Sequence, residues 1–129
     1  MEIKRNPENN YFEGAGTFAP TNNEIEYFIP ADISGPTQEQ VDFYEKLQTN
    51  YPAISSKCSE LIEAEFRNWK EDFKINDFNS EFKLVAINIP ELKNDPIEWD
   101  MAFETEHDEN HQFTVYFEGE EANRVGVDG

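Results

Sequence analysis

Residues 97–118 read IEWDMAFETEHDENHQFTVYFE. Two runs in this stretch alternate. Trp99, Met101 and Phe103 fall on one side of the first run, and Phe113, Val115 and Phe117 on one side of the second, with Thr114 and Tyr116 opposite. A period of two sends successive side chains to opposite faces, so both runs read as strands with one buried face. Residues 106–110 between them are hydrophilic throughout, which predicts a β-hairpin with an exposed tip.

Strands with one apolar face need a second layer, and the sequence supplies it upstream. Ile54, Cys58, Leu61, Ile62, Phe66, Trp69 and Phe73 follow steps of three and four, the stripe of an amphipathic helix. Trp69 is expected inside the seam between this stripe and the sheet. A shorter helix precedes it, with Val41, Tyr44, Leu47 and Tyr51 at helical spacing. Thr37 followed by Gln40 has the form of a capping box at its start, and Pro52 marks the break between the two helices. Cys58 falls on the apolar side, where a buried, inert thiol is expected; a single cysteine forms no internal disulfide.

The remaining segments complete the pattern. Residues 11–18 read as a weak strand whose Gly14 and Gly16 point to a bulge or an edge, and 24–29 alternate as its hairpin partner. Residues 33–36 and 93–96 are expected connectors. Residues 82–89 are apolar on both faces, Phe82, Leu84 and Ala86 against Val85, Ile87 and Ile89, the mark of a central strand. Residues 124–127 form a short last strand. The order is ββααββββ. It predicts an α+β fold, an antiparallel sheet packed on one face by two helices, with residues 11–129 as one domain behind a flexible 1–10.

Charge limits the partner. The chain holds 28 Asp and Glu against 10 Lys and Arg, a formal net charge of -18 in 129 residues. A body so negative repels phosphate backbones and anionic lipid and attracts basic protein surfaces. Disorder is disfavoured by 14% aromatic content, eleven of those residues being Phe. Direct nucleic-acid binding is disfavoured because Lys4-Arg5 is the only adjacent basic pair. The start, MEIKRNPENN, carries no apolar run that a signal peptide needs, and no membrane-spanning run occurs, so a cytoplasmic protein without a membrane partner is expected. No motif implies a cofactor. The glycines make no phosphate loop, no G-x-S-x-G occurs, and residues 95–106 do not match a calcium loop.

Two candidate sites remain. Acidic residues bunch at the end of the long helix, at the hairpin tip and at the last turn; Glu104, Glu106, Asp108, Glu109, Glu120 and Glu121 form the candidate docking face for a basic protein. His107 and His111 share the tip with these carboxylates and are the weak metal-ligand candidates, the basis of an alternative metal-binding or metal-dependent enzyme reading. An i,i+4 separation across a turn fixes no ligand geometry, and no catalytic set is indicated.

The segments from Trp99 to Phe103, from Asp108 to Gly119 and from Val125 to Gly129, with Pro36-Thr37-x-x-Gln40-x-x-x-Tyr44 upstream, resemble a small bacterial family. Its members carry a Trp strand, a His-x-Phe-x-Val-x-Phe strand and a terminal Val-Asp-Gly. The resemblance spans most of residues 13–129. It implies an α+β domain of the kind found in toxin–immunity gene neighbourhoods, and it brings no catalytic residues. Relatives tend to have Gly-Trp after the long strand; this chain has Gly119-Glu120.

Overall fold

Thr37 starts the helical layer as its side chain dictates. Its hydroxyl accepts from the Gln40 amide at 3.1 Å, and the Gln40 side chain accepts from the Thr37 amide at 2.9 Å. Helix α1 runs Gln38–Thr49 and α2 runs Tyr51–Phe66, joined at Asn50 with a proline in the first turn of α2. The computed structural model of the chain describes residues 2–6, 11–30, 37–89 and 97–128. The expected connectors at 33–36 and 93–96 lie outside them.

Three strands precede the helices: β1 Glu2–Asn6, β2 Tyr11–Phe18 and β3 Asn23–Pro30. A one-turn helix α3, Phe78–Glu81, leads into β4 Phe82–Asn88, then β5 Glu98–Thr105, β6 Gln112–Glu118 and β7 Glu121–Asp128. Among the described residues one sheet holds the seven strands in chain order. The fold is α+β with a mostly antiparallel sheet, and several points depart from the sequence reading.

First, β3 and β4 pair in parallel. The two helices carry the chain back to the end of the sheet from which β3 started, which a hairpin cannot do. Second, Glu2–Asn6, expected as part of a flexible lead, pairs antiparallel with β2. Backbone amides make that ladder, so polar side chains do not prevent it. Third, β2 is flanked on both sides and its register with β3 is unbroken, so Gly14 and Gly16 mark neither a bulge nor an edge. They stand directly opposite Tyr27 and Ile25, on the face that receives the helices.

Fourth, the long helix stops at Phe66. Past it, the Arg67 side chain donates to the Phe73 carbonyl at 3.1 Å, and Glu63 accepts from the Ile75 amide at 2.8 Å. These two side chains satisfy the backbone of a reversing chain. Phe73 folds back onto Phe66 with ring centroids 4.3 Å apart, while Trp69 is left 48% exposed instead of sealed in the seam.

The strand at 82–89 is central, fourth of seven, but not two-faced. A bulge between Leu84 and Ala86 shifts the register. Phe82, Leu84, Ile87 and Ile89 thereby all reach one buried side, while Lys83 and Asn88 are exposed. That side meets Tyr27, Met101, Phe103, Phe113 and Val115 in a single core with Leu47, Tyr51, Cys58, Ile62 and Phe66 of the helices. Burial pushes the Cys58 thiol far above its usual range, so it packs as an inert apolar group. Among the described residues no helix is long and apolar enough to cross a membrane.

Candidate functional site

The hairpin tip is anchored rather than loose. His107 Nε2 lies 2.7 Å from Glu81 Oε1, and the ring stands edge-on to Phe73 at 5.0 Å. The Thr105 hydroxyl donates to the Glu81 carbonyl at 2.8 Å. The other oxygen of Glu81 accepts from the Asp77 amide at 2.6 Å and the Asn76 amide at 2.8 Å. The Asp77 amide first, then His107, hold this carboxyl below the usual carboxylate range. His107 thus ties the tip to α3.

His111 faces elsewhere, its Nδ1 lying 2.7 Å from Asp108 Oδ2. The two histidines serve different carboxylates. Among the described residues no three His, Cys, Asp or Glu side chains gather as a metal site.

The six candidate acids do not form one cluster. Glu104, Glu106, Asp108 and Glu109 sit around the tip that precedes β6, and Glu120 and Glu121 at the turn that follows it. The length of β6 separates these ends by about 20 Å. Glu120 offers its backbone carbonyl to Lys57 of α2 at 2.6 Å. Glu104, Glu106, Glu109, Glu120 and Glu121 are exposed; Asp108 is half-buried under its contacts with His111 and the Asn110 amide.

Between those ends lies the sheet face that points away from the core, which the sequence reading did not single out. Strand register orders it into rows. Ala86, Ala102, Thr114 and Gly126 pair across its middle, so the floor is built of small residues. The next row is Asn88, Asp100, Tyr116 and Arg124, each directly opposite the next. The Asn88 amide donates to Asp100 Oδ1 at 2.7 Å. Burial raises the Asp100 pKa, and that hydrogen bond only partly opposes the rise. The Arg124 guanidinium rests 3.9 Å above the Tyr116 ring centroid. Gly126 allows this, since a Cβ there would meet Tyr116 Cε2 at 3.0 Å.

The third row is Glu98, Glu118 and Glu121, three carboxylates on neighbouring strands. Asn88, Glu98, Asp100, Tyr116, Glu118 and Arg124 line a cavity of about 550 Å³ on this face. Glu118 and Glu121 fell within the acidic bunch of the last turn; Glu98, Asp100 and Arg124 did not. The available signal was parity: each is the outward member of an alternating strand, but only register shows that they are neighbours.

The arrangement offers carboxylates, an amide, a phenol and a guanidinium for hydrogen bonding and ion pairing, with no nucleophile held by a base. No protein-family model, curated protein or solved structure matches the chain.

Proposed function

We propose that this chain is a non-enzymatic acidic protein-binding domain whose partner is a basic protein, and that it acts as an immunity protein that neutralises a basic toxin. The observation that carries the reading is the net charge of -18 on an ordered scaffold. A charge of that size costs compactness through self-repulsion and gains rate in meeting an oppositely charged partner. The distribution supports it. The basic side chains Lys46, Lys57, Arg67, Lys70 and Lys74 belong to the helices and the segment after them, and on β4 to β7 Lys83 and Arg124 face outward beside Glu98, Asp100, Glu104, Glu118 and Glu121, so that face keeps a negative excess. The immunity role draws on the resemblance of the Trp99 and Phe113 strands to that family.

The test is titration with the purified product of the neighbouring gene and with arginine-rich and lysine-rich peptides. Measured at about 0.02 M salt and again at about 0.3 M, binding should be present at the first and much weaker at the second. Absence of binding at low salt refutes the basic-partner reading. Binding by the peptides with none by the neighbouring product refutes the immunity role and keeps the docking one.

A further inference from the structure

At the hairpin tip Glu104, Glu106 and Glu109 are exposed, but the groups between them are engaged within the fold. His107 is spent on Glu81, and Asp108 on His111 and the Asn110 amide. The outward sheet face differs. Among the described residues no helix covers it, and its central row of Ala86, Ala102, Thr114 and Gly126 carries only small side chains.

Beside that row the charges are unbalanced. Glu98 stands directly opposite Glu118, and Glu118 directly opposite Glu121, all exposed. Like charges in direct cross-strand register oppose sheet pairing. The nearest cation does not relieve them. Arg124 lines the same cavity, yet its guanidinium is stacked on Tyr116 and forms no ion pair among the described residues. Gly126 keeps it there by letting the Tyr116 ring lie close to β7. The cavity therefore has an unneutralised acidic wall beside an aromatic platform that already carries a guanidinium.

We infer that this outward face, and not the hairpin tip, is the docking surface for the basic partner, with an arginine or lysine side chain of that partner entering the 550 Å³ cavity between Glu98, Glu118 and Asp100. The inference rests on the basic-partner reading and locates it. Charge complementarity selects the occupant. A phosphate or a carboxylate would meet the acid row, and an apolar segment would bury the Glu98 and Glu118 carboxylates without partners. A second copy of this chain would set one acid row against another.

The experiment uses the isotope-labelled full chain and an arginine octapeptide at low ionic strength, followed by amide chemical shifts. Shifts should concentrate at Glu98, Asp100, Tyr116, Glu118 and Arg124. The double variant Glu98→Gln, Glu118→Gln should weaken binding about tenfold, and Glu106→Gln, Glu109→Gln, which removes the same charge from the tip, less than about twofold. Thermal midpoints of both variants establish that they fold. Equal losses from the two pairs, or shifts confined to the tip, overturn the surface assignment while leaving the basic-partner reading intact. No binding by the native chain overturns both.

Discussion

Phe66→Ala is the sharpest test of how the layers are joined. Phe66 is fully buried at the end of α2. It stacks on Phe113 at 4.9 Å and on Phe73 at 4.3 Å, and meets Phe82 edge-on at 6.0 Å. It therefore bonds helix, sheet and the reversing segment at one point. A buried Phe withdraws about 150 Å² or more from water, worth roughly 4 kcal/mol at about 25 cal/mol per Å². The cavity left between two stacked rings adds to that, and the alanine methyl returns a little. The expected loss is about 3–5 kcal/mol, a large part of the stability of a domain this size. Trp69→Ala is the internal control. The indole is larger but 48% exposed, and its removal opens onto solvent, so about 1–2 kcal/mol is expected. Urea unfolding followed by circular dichroism measures both. The seam reasoning fails if the two losses are equal or reversed in order.

Three further outcomes follow from named groups. Asp100→Asn should raise the unfolding midpoint at pH 7 and give no gain near pH 3: burial raises the Asp100 pKa above its unfolded value of about 3.9, so the wild type loses stability as pH climbs through that window, and the amide does not. Glu81→Gln should show the opposite sign. The folded carboxyl sits below its unfolded value of about 4.3, so its contribution is complete above that pH and disappears on acidification through the folded value; the variant should be less stable than wild type at pH 7 and equal to it in strong acid, by denaturant titration at both. Gly119→Ala should cost about 1–2 kcal/mol, because Gly119 turns the β6–β7 hairpin at φ 59 with nothing near its would-be Cβ, so backbone strain alone is read out; an unchanged midpoint would show that the turn has another conformation open to it.

The alternation at Trp99, Met101 and Phe103 and at Phe113, Val115 and Phe117 was legible because period two is a local property: each residue reports its own face. The same holds for the Thr37–Gln40 capping box, which needs only a four-residue window. Non-local events were not legible. The Leu84–Ala86 bulge changes which of Val85, Ala86 and Ile87 faces inward, and only pairing with β5 reveals it. The early end of α2 depends on Arg67 reaching the Phe73 carbonyl and Glu63 the Ile75 amide, across a turn that an apolar stripe does not register. Glu98 carries no local mark in the sequence because its meaning comes from Glu118, twenty positions on in the chain and adjacent only in the sheet.

That last pair separates solubility from recognition as uses for the charge. Solubility asks only that charges be many and dispersed, and staggering them across strands serves it as well as aligning them. Alignment brings a repulsion that staggering avoids. Lys83 opposite Glu104 in this sheet shows that opposite signs are accommodated in its ladders. A row of Glu98, Glu118 and Glu121 next to a guanidinium turned aside onto Tyr116 therefore runs against the fold's own interest. A cation brought from outside would relieve local conflict of that kind, and under the proposed reading that relief would be free energy available to binding. Glu118→Lys separates the two accounts. It should stabilise the free domain by easing both neighbouring pairs and weaken capture of a basic peptide, whereas a purely solubilising row predicts the first change without the second.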